Sequence, residues 1–190
     1  FHDARVHIVG VQEDRCPTAK VFQINDYIIA TSGSTPQGSH GNAAYICREW
    51  PTTDGRQVKL TREHINIAHA TPRILYVTIR AGRATVDLLV AHCPTSSASV
   101  GVYADYIREL REVVQRCHKT GTWLLAAIDG NCRLGYNVST YVGPWAADKE
   151  QARGALLHNF LAEHDLFLPA TFKDTADPTS HQGTWLTLEG

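Results

Sequence analysis

Apolar runs enriched in β-branched residues recur along the chain at residues 5–12, 21–31, 43–48, 74–80, 85–93, 123–128 and 166–172. Each is short and bounded by polar or turn-forming residues, which predicts strands. Ala81-Gly82-Arg83-Ala84 joins two of these runs and predicts a β-hairpin. The second arm, Val86-Asp87-Leu88-Leu89-Val90-Ala91, is too apolar for a sheet edge. Helical spacing of three and four appears first at Tyr103, Ile107, Leu110, Val114 and Cys117, with Gly121 placed to end that helix. It appears again at Ala152, Leu156, Phe160 and Leu161, with Pro169 beyond. Residues 31–41, carrying Gly33, Pro36, Gly38 and Gly41, and residues 51–55 are expected to be loops. Without repeats or low-complexity tracts, the pattern predicts one α+β domain in which strands outnumber helices.

Composition narrows the options. A chain of 190 residues that is 43% hydrophobic can bury one sizeable core without staples. Lys plus Arg total 18 against 19 acidic residues, so the net charge of −1 excludes a general polyanion binder and confines any nucleic-acid contact to a local cluster. No apolar run is long enough for a transmembrane helix, and no secretory signal opens the chain. The sequence contains no methionine, which reads as an excised piece of a longer reading frame. The five cysteines form no CxxC pair and are odd in number, pointing to buried thiols in a reducing compartment.

Three strand ends carry candidate chemistry. The first run ends in Gln12-Glu13, and a carboxylate on a rigid strand end suits a hard cation. The same residues also fit a solvated acidic turn, Glu13-Asp14-Arg15. Residues 123–128 run into Asp129-Gly130-Asn131, which sets a carboxylate and a carboxamide on one rim or makes an ordinary Asp-Gly turn. His92 ends a third strand before Cys93-Pro94-Thr95, where an imidazole either meets a phosphate or serves structure alone. Cys93 has no activating partner in the sequence and reads as packing. Neither GxxxxGK[ST] nor GxGxxG is present, so the glycine-rich loops give no phosphate cradle.

Taken in order, these segments resemble the endonuclease/exonuclease/phosphatase superfamily, which includes abasic-site endonucleases, deoxyribonuclease I and retrotransposon endonucleases. Gln12-Glu13 is similar to its QE motif, and Asp129-Gly130-Asn131 to its GDxN motif with Ile128 in place of the usual Gly. Ala91-His92-Cys93-Pro94-Thr95 resembles its AYxPT or HxP segment. Val142-Gly143-Pro144-Trp145, Leu166-Phe167-Leu168, Ala170-Thr171-Phe172 and Gly183-Thr184-Trp185 further resemble the endonuclease domains of non-LTR retrotransposons, with Ala170 where that group has Asn.

The resemblance implies a two-layered β-sandwich flanked by helices, a DNase I-like four-layer α/β/β/α fold. It implies a metal-dependent phosphodiester hydrolase, specifically a retrotransposon-type endonuclease that nicks DNA, with Mg²⁺ or Mn²⁺ as cofactor. On that pattern Glu13 is the metal ligand, while His92, Asp129 and Asn131 are catalytic; Arg133, just beyond, is a candidate DNA contact. The family's upstream Asn-bearing strand and downstream SDH segment would fall outside residues 1–190, and His181 precedes Gly183-Thr184-Trp185 and so does not stand in for the SDH histidine. A domain truncated at both ends and an inactive fragment are therefore expected. Further expectations are an intracellular location, nuclear for a retroelement product, and a reverse transcriptase in the same polypeptide. A phosphatase or phosphodiesterase acting on lipids or small molecules, and a catalytically dead binding relic, stay open as alternatives.

Overall fold

The computed structural model describes residues 6–51, 57–135, 138–144 and 151–172. The chain divides into two compact units, one comprising the chain to Pro94 with Arg108–Gly130, the other Thr95–Ile107 with the chain from Asn131 onward.

The first unit is built on two four-stranded sheets. Strands β1 (Ile8–Gln12), β2 (Ala19–Ile24), β3 (Tyr27–Ser32) and β4 (Asn42–Cys47) form an antiparallel sheet in the order β1-β4-β3-β2. Strands β5 (Glu49–Pro51) and β6 (Gln57–Lys59) make a small separate hairpin. Strands β7 (Ile65–Thr71), β8 (Ile74–Ala81), β9 (Ala84–His92) and β10 (Trp123–Asp129) form the second sheet in the order β10-β9-β8-β7. The β10–β9 pair is parallel and the others antiparallel. The β9–β10 connection contains α1 (Val100–Cys117), as a parallel crossover requires.

Ile28, Ala30, Ala44 and Ile46 of the first sheet pack with Leu75, Val77, Ile79, Leu88 and Val90 of the second, making one sandwich core. Strand β9 is an interior strand, as its apolar sequence predicts, and Val86 through His92 are all buried. Its outer face meets the end of α1: His118, one residue beyond the helix, sets Nδ1 2.9 Å from the Asp87 carboxylate. The two edge strands β1 and β10 close on each other beside the core. A Cβ at Gly10 would overlap Cβ of Ala127 and touch Val90 at 3.4 Å, so only glycine allows this approach.

In the second unit, α2 (Ala152–Glu163) buries Gly154, Leu157, Phe160 and Leu161. Phe160 and Leu161 are inward as expected, but Ala152 and Leu156, expected inward with them, are not buried. Ala152 is exposed and Leu156 half-buried, because Gly154 lies so close to Arg133 O that a Cβ there would collide with it.

Further departures from the sequence pattern have local causes. Residues 21–31 are two strands, since Asn25 (φ 50°) and Asp26 make a tight turn between β2 and β3. Strand β7 has no counterpart among the predicted runs because a bulge between Ile67 and His69 breaks its alternation. Pro51, expected in a loop, ends β5. Residues 166–172 hold a 3-10 turn, Pro169–Thr171, in place of a strand: Pro169 fixes φ and has no N–H for a ladder. Helix α1 ends at Cys117, short of Gly121 (φ 85°), which sits in the turn leading to β10. Trp145, His181 and Gly183-Thr184-Trp185 lie outside the described residues. Among the described residues, no helix is long and apolar enough to cross a membrane.

Candidate functional site

Five chain segments of the first unit meet at one end of the sandwich. Strand β1 delivers Glu13, the 33–41 loop delivers His40, the Pro72-Arg73 turn joins β7 to β8, and the ends of β9 and β10 carry His92 and Asp129. Backbone hydrogen bonds lock these segments together. Asp14 and Arg15 N–H donate to the Gly41 and His40 carbonyls at 3.0 and 3.1 Å, and Gly41 N–H donates to Pro72 O at 2.8 Å. His92 N–H donates to Arg73 O, and Cys93 N–H to Asp129 O, both at 2.9 Å. Gln12 extends the lock across the sheets, its Nε2 donating to Ala127 O at 3.1 Å.

The side chains are set with unusual constraint. Glu13 (φ 59°) and His40 (φ 61°) both occupy the left-handed region, which aims each side chain away from the path of a regular strand. Glu13 is exposed, with Oε2 4.0 Å from Arg15 Nη2. His92 is only 4% exposed; its Nε2 lies 3.7 Å from Asp129 Oδ2, and its Nδ1 is buried without a hydrogen-bond partner. An orphaned buried polar group of this kind costs about 1–3 kcal/mol unless something meets it. The His40 and His92 rings stand edge to face at 5.7 Å. Each of Glu13, His40 and His92 presents a ligand atom within 4.8 Å of the other two.

Arg73 is the central clamp. Its Nη1 donates to the His92 and Cys93 carbonyls, both at 3.2 Å, and its Nη2 lies 3.1 Å from His40 Nε2. A guanidinium can only donate, so Nε2 of His40 accepts. Burial, with Arg73 and His92 adding to it and Glu13 opposing, holds the His40 imidazole below its usual range.

Of the residues singled out by sequence, Glu13, His92 and Asp129 fall in this one cluster. Asn131 (φ 45°) and Arg133 belong to the second unit; the Arg133 carbonyl accepts from Gln151 N–H at 3.3 Å. Cys93 is wholly buried, in keeping with packing. His40 and Arg73 were missed, because both sit in turns where periodicity carries no information. The signal that could have found His40 was a histidine set between Gly38 and Gly41 in a loop already dense in glycine.

No family model matches the chain, and no curated protein matches its sequence. Solved structures do match its fold. The endonuclease domain of TRAS1, a telomere-specific non-LTR retrotransposon, superposes with a TM-score of 0.51 at 15% identity, covering 85% of this chain and 60% of that one. The AP endonuclease LMAP from Leishmania major superposes with a TM-score of 0.56 at 12% identity, covering 85% of this chain and 58% of that one. The chain thus spans about 60% of the length of these structures. Its α+β fold is the DNase I-like one of these structures.

Proposed function

We propose that this chain carries the hydrolytic centre of a metal-dependent DNA endonuclease of the retrotransposon or abasic-site type. The observation that carries the reading is the cluster itself: a cation-competent carboxylate on β1, a histidine on β9 and a second carboxylate on β10, at the same end of a DNase I-like sandwich.

Phosphodiester hydrolysis needs a water aligned and relieved of its proton, and charge stabilised on the phosphoryl oxygens. Glu13 is the carboxylate that would hold a divalent cation. A cation bound there supplies polarisation of a phosphoryl oxygen. Asp129 is the general base, an acceptor held at the strand end by the β9–β10 ladder. Asn131, two residues on in the sequence, is the carboxamide that would hydrogen-bond a phosphoryl oxygen. His92 has one ring nitrogen toward Asp129 and the other unpartnered, which fits it to meet either a phosphoryl oxygen or a cation.

The test is nicking of supercoiled plasmid by the full-length natural polypeptide. Glu13→Gln keeps the shape and loses the charge, and Asp129→Asn removes the base. Each is expected to lower the rate at least ~100-fold, the lower range for losing one acid–base group. Unchanged nicking in both variants would overturn the assignment.

A further inference from the structure

We infer that Glu13, His40 and His92 form a binding site for a nitrogen-preferring divalent ion of the Zn²⁺ class, and not a site made for Mg²⁺. The inference deepens the phosphodiester reading by naming its ion, and rests on that reading only for what the ion would do.

Donor chemistry is the first argument. Mg²⁺ demands near-octahedral oxygen ligation and usually takes only one or two carboxylates from a protein. Here the clustered ligand atoms come from one carboxylate and two imidazoles. Two histidines and a glutamate are a set that holds Zn²⁺ tetrahedrally with the fourth position open for water or substrate. The atoms now lie within 4.8 Å of one another, and zinc bonds of about 2.0–2.2 Å would draw them roughly 1 Å closer. The exposed Glu13 side chain has room to make that movement.

The second argument is the state of the rings. His92 is 4% exposed and its Nδ1 has no partner, whereas its Nε2 faces Asp129 at 3.7 Å. A metal on Nδ1 with Nε2–H directed at a carboxylate is how proteins orient ligating histidines. Asp129 is then a positioning residue for His92 as well as an acceptor for water. Nδ1 of His40 is likewise buried and unpartnered, while its Nε2 accepts from Arg73. Ligation through Nδ1 moves the ring proton to Nε2, where it confronts Nη2 of Arg73, donor against donor. Arg73 therefore competes with the ion for the His40 tautomer.

The test is calorimetric titration of the metal-free 190-residue chain with Zn²⁺ and with Mg²⁺, alongside Co²⁺ absorption spectra. One Zn²⁺ per chain is expected, with Mg²⁺ at least ~100-fold weaker. Glu13→Gln, His40→Ala and His92→Ala should each weaken Zn²⁺ binding by about tenfold or more. Because His92 is buried, His92→Asn serves as the second variant, with folding checked by circular dichroism. Bound Co²⁺ should show visible bands without thiolate charge transfer. Equal Zn²⁺ and Mg²⁺ affinity, Zn²⁺ binding indifferent to both histidine substitutions, or thiolate bands would each overturn the inference. Zn²⁺ binding as expected without DNA nicking would defeat the endonuclease reading and leave the ion site standing. Mg²⁺-supported nicking that survives His40→Ala would defeat the ion site alone.

Discussion

At the scale of single residues, the site depends on a side chain that is absent. Gly10 lets β1 and β10 approach until the carboxylates at their ends serve one cluster. Alanine there would overlap Ala127 and press on Val90. Overpacking of a core contact costs about 1–3 kcal/mol. Gly10→Ala should therefore lower stability by that amount in urea denaturation, and Ala127→Gly should restore much of it in the double variant. Full additivity of the two changes would show that they do not meet. Cys93→Ser is expected to be milder for function than any change at Glu13 or Asp129, since the thiol is enclosed and the backbone N–H makes the useful contact, to Asp129 O. Glu13, His92 and Asp129 could be picked out of the sequence because each ends an apolar run, and a strand end is where a core element must release a polar residue. His40 and Arg73 end no run. They reach the cluster through loop and turn geometry, which a pattern of apolar positions does not encode.

At the scale of elements, the second sheet is tied to α1 by a polar knot. Asp87, buried on β9, accepts from Thr78 of β8 at 2.8 Å and from Thr122 at 2.9 Å, and lies 2.9 Å from His118 Nδ1. Burial alone would raise the Asp87 pKa, but the hydrogen bonds from Thr78, Thr122 and His118 outweigh it and hold the carboxyl below its usual 3.8. A carboxyl depressed in the folded state contributes stability that is present above its unfolded value and is lost as pH falls through the folded one. Thr122→Val removes one of those bonds. Its deficit in stability against wild type should be full at about pH 6 and shrink as pH falls below roughly 4, the unfolded value. Chemical denaturation at both pH values measures it; a deficit independent of pH would show that Thr122 acts by packing alone. Strand and helix existence was largely legible, since periods of 2 and 3.6 follow directly from which face is buried. The first turns of α2 were less so: Phe160 and Leu161 are buried as expected, but Gly154, packed against Arg133 O, is buried in place of Ala152.

At the scale of the whole molecule, a net charge of −1 permits DNA contact only through a local cluster of cations. Binding should then be weak and salt-sensitive, with log affinity falling by about 0.9 per phosphate contact for each decade of salt. Arg133 is the proposed contact, exposed beyond Asp129-Gly130-Asn131. Arg133→Ala should reduce that slope by about 0.9 when duplex affinity is measured across salt concentrations. An unchanged slope and affinity would remove Arg133 from the interface.

What the sequence by itself determined is the set of elements and the polar residues at their ends. Apolar periodicity reports burial, and burial drives local structure. The DNase I-like class came from the family resemblance that Gln12-Glu13, His92 and Asp129-Gly130-Asn131 carry in their order along the chain. Only the tertiary structure decided which histidines meet the Glu13 carboxylate. His40 lies 27 residues from Glu13 and 52 from His92 along the chain (40 − 13 and 92 − 40). Their meeting depends on the β1–β4 and β8–β9 registers and on Arg73 holding three segments at once. Those are long-range contacts, whose partners are chosen by packing and hydrogen-bond satisfaction across the fold, and no local stretch of sequence contains them.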